Sequence, residues 1–173
     1  MKVKNWTEIE ETEYADKLPA GGYVCRITAV EDVPKKEYLW ITYDIAEGEY
    51  AGKYSDDWGK ENPWAHRFAR SYKDSAEGKF KAFVNRVQES NKGFVWDQVN
   101  ESQFVGKEIG LVFQTELYTN DKGDDKERLN VFRVVASQDI RVGDFKVPEP
   151  KNTREKVPQS DTVPVDAYDD VPF

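Results

Sequence analysis

Alternating hydrophobic and polar residues predict strands in the first part of the chain. Residues 22–31 (GYVCRITAVE) follow a Pro-Ala-Gly-Gly turn signal and are rich in β-forming residues. Residues 38–46 (YLWITYDIA) alternate more strictly. One face carries Leu39, Ile41, Tyr43 and Ile45, and the other carries Tyr38, Trp40, Thr42 and Asp44. Residues 50–58 and 64–72 are candidates for a third strand, and the interruption at 59–63 indicates a bulge or an inserted loop.

The apolar spacing changes to a helical period after residue 74. One helical stripe contains Ala76, Phe80, Phe83, Val84 and Val87. Asp74 or Ser75 can cap the start of this helix, and Gly93 suits the turn after its end. Two long strands follow. The first projects Ile109, Leu111, Phe113 and Leu117 from one face, the second covers about 129–142, and the polar segment 119–126 (TNDKGDDK) predicts a hairpin loop between them.

Three strands, a helix and a two-stranded hairpin occur in the order of the five-stranded OB-fold. The sequence therefore predicts a mainly β domain over residues 1–147, an OB-fold-like barrel with one helix between strands 3 and 4. Another small barrel, or a twisted sheet with one helix packed on it, fits the same order. Residues 148–173 are rich in Pro, Ser, Thr and acids and follow no period, so we expect a disordered acidic interaction tail there.

Composition and charge narrow the classes of function. The chain has 33 acidic and 25 basic residues and a net charge of −8, which argues against a simple polyanion binder. The charge is uneven, however: basic residues outnumber acidic ones between residues 64 and 86, and residues 157–173 carry acids only. One cysteine and one histidine exclude an internal disulfide and a four-ligand zinc site. Without an apolar span or signal core, we expect a cytoplasmic protein.

Residues suited to enzyme chemistry are sparse. His66 has no HxxxH partner, no phosphate-binding glycine motif occurs, and Cys25 lies in mid-strand where a buried thiol acts as a small hydrophobe. Acids at 44, 47, 49, 56 and 57 could hold Mg²⁺ as in a nuclease, but neighbouring strand residues point to opposite faces. We therefore expect a non-enzymatic protein without metal or cofactor, with a Mg²⁺-dependent nuclease as the less favoured alternative.

The aromatic residues indicate a binding surface. Trp40 and Tyr38 lie on the strand face opposite the expected core, and a large outward ring needs a cover such as a nucleic-acid base. Further rings at Trp58, Trp64, Phe68 and Tyr72 are interleaved with Lys60, Arg67, Arg70 and Lys73. If this segment is extended, the even positions 64–72 share one face and Arg67 lies on the other. The alternative is that Trp64 and Phe68 pack inside the core.

Two parts of the chain resemble known proteins. The last residues, Asp169, Asp170, Val171, Pro172 and Phe173 (DDVPF), resemble the acidic, Phe-terminated tip of bacterial single-stranded DNA-binding proteins. The body is similar to a family of phage-encoded proteins associated with phage recombination genes. This similarity is carried by LPAGGYVCRI (18–27), residues 37–53, RSYKDSAEGKFKAFVNRVQESNKGF (70–94), GKEIGLVF (106–113) and VGDFKVP (142–148). Segment 55–69 departs from the family pattern and looks like an insertion.

The resemblance implies an OB-like single-stranded DNA binder that acts beside replication and recombination proteins in a bacterial host cell. It also implies that the tip at 169–173 recruits those proteins. Combined with the aromatic and basic pattern, it predicts binding without sequence preference, with rings stacking bases and cations holding phosphates. The candidate site residues are Tyr38, Trp40, Tyr54, Trp64, Arg67, Arg70, Tyr118 and Arg128, with Arg26 and Arg133 as weaker candidates.

The net charge of −8 also fits an acidic DNA-mimic inhibitor of a host nuclease. The basic stretch and the outward rings favour the DNA binder over this alternative. The sequence leaves open the oligomeric state, a homo-oligomer included, and the choice between DNA and RNA.

Overall fold

The computed structural model describes residues 18–154 of the chain. These residues form β1 (Gly21–Val33), β2 (Tyr38–Ile45), α1 (Asp57–Glu61), β3 (Arg67–Ser71), α2 (Glu77–Ser90), β4 (Glu108–Thr119), β5 (Asp125–Val135), α3 (Ser137–Arg141) and β6 (Lys151–Asn152). Short 3-10 turns lie at Pro63–His66, Asp74–Ala76 and Glu101–Phe104. No helix in this part of the chain is long and apolar enough to cross a bilayer. The predicted tail tip at 169–173 lies outside the described residues.

The strands form one open, mainly antiparallel sheet. Its order is β3-β2-β1-β4-β5, and β6 pairs in parallel with β4. β1 serves two neighbours, because Gly21–Arg26 pairs with β4 whereas the stretch from Cys25 to Val33 pairs with β2. The register of the second pairing shifts between Ile27 and Ala29, and such a bulge bends a strand and increases its twist. The prediction of a mainly β domain is therefore confirmed.

The core lies between one face of the sheet and α2. The predicted alternation of β2 is confirmed, since Leu39, Ile41, Tyr43 and Ile45 are all buried. The helical stripe is confirmed at Phe83, Val84 and Val87, which pack with Ile109, Leu111 and Phe113 of β4. The predicted helix cap is wrong, because α2 starts after a 3-10 turn and no side chain caps its first residue.

The third strand is shorter than predicted. Only Arg67–Ser71 pair with β2, and residues 50–58 form turns and the start of α1. Asp56 accepts a hydrogen bond from the amide of Gly59 at 2.8 Å, which starts α1, and Pro63 starts the following 3-10 turn. The Asp56 cap and the proline at the start of the turn both favour local helical turns over an extended backbone. The interruption predicted at 59–63 is therefore part of a longer connection between β2 and β3, which we call the β2–β3 connection.

The last long strand also ends earlier than predicted. β5 stops at Val135, and residues 137–141 form α3 instead of continuing to residue 142. α3 packs closely on the sheet at two glycines. A Cβ on Gly22 would lie 2.8 Å from Ile140 Cδ1, and a Cβ on Gly110 would lie 2.8 Å from the Ala136 carbonyl oxygen. A side chain at either glycine would displace α3 from β1 and β4.

The first residues of the predicted tail belong to the sheet. Gln114 Nε2 donates to the Glu149 carbonyl at 2.7 Å, and the Thr153 amide donates to the Leu117 carbonyl at 2.8 Å. Residues 151–152 thus continue the sheet beside β4, beyond the point where β1 begins. The predicted start of the disordered tail at residue 148 is therefore too early, because residues 149–154 contact the sheet.

Candidate functional site

Three candidate residues meet on the sheet face that points away from the core. Tyr38 and Trp40 of β2 contact each other edge to face, with ring centroids 5.3 Å apart. Ala69 lies opposite Trp40 on β3, and Arg67 lies two pairs further along, opposite Thr42. Because Ala69 is small, the Arg67 guanidinium reaches across and lies 4.0 Å from the centre of the Trp40 ring. We call Tyr38, Trp40 and Arg67 the β2–β3 face.

The members of the β2–β3 face differ in their exposure. Tyr38 is buried, so it supports the indole rather than presenting a free ring. Trp40 and Arg67 are half-buried and therefore accessible from solvent. The outward position of Trp40 agrees with the strand alternation. Arg67 pairs with Thr42, which lies on the same face of β2 as Trp40, so Arg67 and Trp40 share that face.

Arg70 lies on the opposite face of β3. It is paired with Leu39, and its guanidinium lies 5.1 Å from the centre of the buried Phe68 ring. Burial lowers the pKa of Arg70 to about 10. Arg70 Nη1 makes a long hydrogen bond of 3.5 Å to the Ala69 carbonyl, and no carboxylate in residues 18–154 pairs with it. Arg70 and the β2–β3 face thus belong to different surfaces.

Trp64 lies in the β2–β3 connection. Its side chain is 63% exposed, and that of Trp58 in the same connection is 55% exposed. Buried His66 fastens this connection to the sheet, because its ring nitrogens lie 2.7 Å from the Tyr43 carbonyl and 2.8 Å from the Gly59 carbonyl. A Cβ on Gly59 would lie 2.1 Å from the Tyr54 carbonyl oxygen, so the connection packs tightly at this point. Both tryptophans are thus presented on a fixed support.

Tyr54 is part of the core. Its ring stacks on His66 with centroids 4.6 Å apart and an interplanar angle of 3°, so one flat face is already occupied. Burial raises the pKa of Tyr54 to about 12. The remaining part of the side chain lines a cleft of about 940 Å³ between the β2–α1 connection and the β4–β5 hairpin. We call this the interloop cleft.

Tyr118 and Arg128 form a second cation–ring pair on the β4–β5 hairpin. The guanidinium lies 4.6 Å from the centre of the Tyr118 ring and donates to Glu116 at 2.8 Å. Glu116 is buried and also accepts a hydrogen bond from Asn130. Burial acts to raise the pKa of Glu116, but the hydrogen bonds from Arg128 and Asn130 outweigh it and the pKa is lowered. The Arg128 guanidinium therefore already forms an ion pair with the Glu116 carboxylate.

Lys35 and Lys36 were not predicted as site residues. They are exposed in the tight β1–β2 turn, and this turn leads directly into Tyr38. Two lysines at the tip of a hairpin, next to an aromatic strand, form a signal that could have been recognised in the sequence. Their two positive charges lie beside two exposed carboxylates, Glu37 in the same turn and Glu31, which pairs with Trp40 across β1 and β2.

The described residues contain no group of three or more His, Cys, Asp or Glu side chains that could hold a metal ion. Comparison with known proteins adds no relative: no protein-family model matches the chain, and no curated protein is significantly similar to it. The resemblance to phage proteins and to bacterial single-stranded DNA-binding proteins therefore stays a prediction.

Proposed function

We propose that this protein binds single-stranded DNA without sequence preference through the β2–β3 face. The observation that carries the proposal is the guanidinium of Arg67 stacked 4.0 Å from the centre of a half-buried, outward-pointing Trp40 ring. A base stacks on an aromatic ring whatever its identity, because every base has a flat π-face. A guanidinium binds phosphate with several N–H donors. The two side chains thus supply both kinds of contact that an unpaired strand requires.

The proposed binding step exchanges one partner of Trp40 for another. A base takes the place of the Arg67 guanidinium over the indole, and Arg67 turns to a neighbouring phosphate. Lys35 and Lys36 of the β1–β2 turn supply two further cations for phosphates, next to the carboxylates of Glu31 and Glu37. Each phosphate that a cation neutralises releases counterions, so affinity falls as salt rises.

The sheet supports an OB-like arrangement. In an OB-fold the face of strands 2 and 3 binds ligand, flanked by the β1–β2 and β4–β5 loops. Here β1 pairs with both β2 and β4, and α2 lies between β3 and β4, as the OB order requires. Pairing of the two edge strands, β3 and β5, would close this sheet into a five-stranded barrel. The β2–β3 face corresponds to the ligand-binding strands of such a barrel.

Titrating a fluorescently labelled oligo-dT with the full chain tests this function. The proposal expects anisotropy to rise and to fall again with added salt, with weaker binding to duplex DNA of equal length. Parallel titration of an RNA oligonucleotide measures the preference between the two polymers. A flat signal for the single strand would contradict the proposal and favour the DNA-mimic inhibitor. Shortening of the labelled strand in the presence of Mg²⁺ would favour the nuclease.

We further propose that residues 169–173 recruit replication or recombination proteins. A terminal Phe ring can enter an apolar pocket while cations of the partner bind the neighbouring carboxylates. The described chain ends on the β4–β5 hairpin, where Arg154 Nη2 donates to the Lys126 carbonyl at 3.1 Å. The acidic segment therefore starts from the folded domain itself and can compete with DNA for its cations.

Removing residues 155–173 is expected to tighten binding of oligo-dT several-fold at low salt, because a competing polyanion is lost. The matched control is Phe173→Ala, which keeps every carboxylate and is expected to leave DNA affinity unchanged. The anisotropy titration measures both. Unchanged or weaker binding by the truncated chain would contradict competition by the tail.

A further inference from the structure

The interloop cleft is a second surface, separate from the β2–β3 face. Its volume of about 940 Å³ is at the upper end of the range for ligand sites. Much of its lining is apolar or aromatic, including Ala51, Tyr50, Trp58 and Leu129. Trp58 is 55% exposed, and a large apolar surface of this kind usually has a partner that covers it.

The charges around the cleft decide which class of partner fits. Three acidic residues, Glu49, Asp56 and Glu127, contribute to its lining. The two cations in the lining are Lys53 and Arg128, and the Arg128 guanidinium is already paired with Glu116 at 2.8 Å. A polyanion would therefore meet net negative charge here, whereas a basic segment with apolar side chains would be complementary.

The chain enters the described fold at this cleft. Leu18, Pro19 and Ala20 line it, Leu18 is buried, and the Tyr23 hydroxyl donates to the Pro19 carbonyl at 2.7 Å. The segment 1–17 therefore joins the described fold at Leu18, which lines this cleft. Its first part, MKVKNW, combines two lysines with Val3 and Trp6, whereas the link from residue 7 to residue 17 carries five acids and one lysine. The complementary charge is therefore confined to residues 1–6. At ~3.3 Å per residue, the link from Trp6 to Leu18 can extend to about 40 Å, which is ample for Trp6 to reach the cleft.

We propose that the interloop cleft binds residues 1–6 of the same chain. Trp6 and Val3 lie against the apolar wall, and Lys2 and Lys4 face the acids of the rim. Such a contact covers Trp58 and places the N-terminal segment across the β2–α1 connection and the β4–β5 hairpin. The inference does not depend on the DNA-binding proposal, because it concerns a different surface with the opposite charge preference.

Engineered disulfides in the full chain test this contact. The natural Cys25 does not interfere, because it is fully buried and burial raises the pKa of its thiol. The test pair combines Asn5→Cys with Ala51→Cys in the cleft. The control pair combines Asn5→Cys with Val99→Cys in the α2–β4 connection, where the native valine side chain is 81% exposed. We expect the cleft pair to form an intrachain disulfide at least about tenfold faster, which reflects a higher effective concentration.

The contribution of Trp6 to this contact is tested in the chain that carries the cleft cysteine pair. Adding Trp6→Ala to the Asn5→Cys/Ala51→Cys chain removes the main apolar contact but keeps the tether, so the rate is expected to fall to about that of the Val99→Cys pair. Equal rates for the two pairs, or a rate that Trp6→Ala leaves unchanged, would overturn the proposal. Disulfides that form only between chains would also overturn it, in favour of exchange of the segment between two copies.

Discussion

Replacing Trp40 with alanine is expected to weaken binding of oligo-dT about 5- to 150-fold. Stacking of one base on an aromatic ring contributes ~1–3 kcal/mol, and every 1.4 kcal/mol corresponds to a tenfold change in affinity. Trp40 is the ring of the β2–β3 face that is both accessible and in contact with a cation. The anisotropy titration at constant salt measures the loss, and circular dichroism checks that the sheet is retained.

The matched control is Phe132→Ala. Phe132 is an exposed ring on the edge strand β5, with 53% of its surface accessible, and it is not part of the β2–β3 face. Its removal is expected to change DNA affinity less than twofold. Trp40→Phe, which keeps a smaller ring, should fall between the wild type and Trp40→Ala. Equal losses for Trp40→Ala and Phe132→Ala would indicate that aromatic content in general, rather than this surface, governs binding.

Phe104→Ala is expected to lower the free energy of unfolding by about 3–5 kcal/mol, the usual cost of removing a buried aromatic ring. Phe104 is fully buried, and its ring lies 5.3 Å from that of Phe83 on α2 and 5.1 Å from that of Trp96. Next to it, the Gly106 amide donates to the Ile27 carbonyl at 2.7 Å. This ring therefore joins α2 and the α2–β4 connection to β1. Urea denaturation measures the change.

Val99→Ala is the control for this loss. Val99 belongs to the same connection, but its side chain is 81% exposed, so truncation is expected to change the free energy of unfolding by less than about 0.5 kcal/mol. A small effect of Phe104→Ala, similar to that of Val99→Ala, would mean that the aromatic cluster behind α2 does not stabilise the fold.

The parts of the fold that follow a local period could be predicted from the sequence. β2 alternates with period two because one of its faces packs against the core, and Leu39 and Ile41 are indeed buried. α2 shows its stripe because Phe83 and Val87 face the sheet. The outward direction of Trp40 follows from the same alternation. These features depend on residues close together in the chain.

The path of the β2–β3 connection could not be predicted in the same way. Its path is set by contacts that are distant in sequence, such as that between the His66 ring and the Tyr43 carbonyl at 2.7 Å. A polar ring buried between two carbonyls leaves no periodic signal. The same stacking geometry removes Tyr54 from the surface, since His66 covers one face of its ring. The early end of β5 depends on the close approach of α3 to Gly110, which is again a long-range effect.

Only some of the predicted site residues lie together. The alternation predicted Arg67 and Arg70 on opposite faces of an extended strand, and the pairing with β2 agrees. The face expected to stack bases is the one that carries Arg70, however, and it contains the buried Phe68. Arg128 was a candidate phosphate ligand, but the buried Glu116 across the hairpin holds it. Pairing partners of this kind depend on strand register, which the sequence did not specify. Of the predicted residues, Tyr38, Trp40 and Arg67 therefore form the proposed interface.

Ultraviolet cross-linking of the full chain to an oligo-dT strand, followed by peptide mapping, tests the central claim most directly. The β2–β3 face and the interloop cleft both contain aromatic rings, and they differ in charge. The account predicts adducts on Trp40 and its strand neighbours, with Tyr50 and Trp58 of the cleft unmodified. Adducts confined to Tyr50 and Trp58, with the peptide that contains Trp40 unmodified, would contradict it.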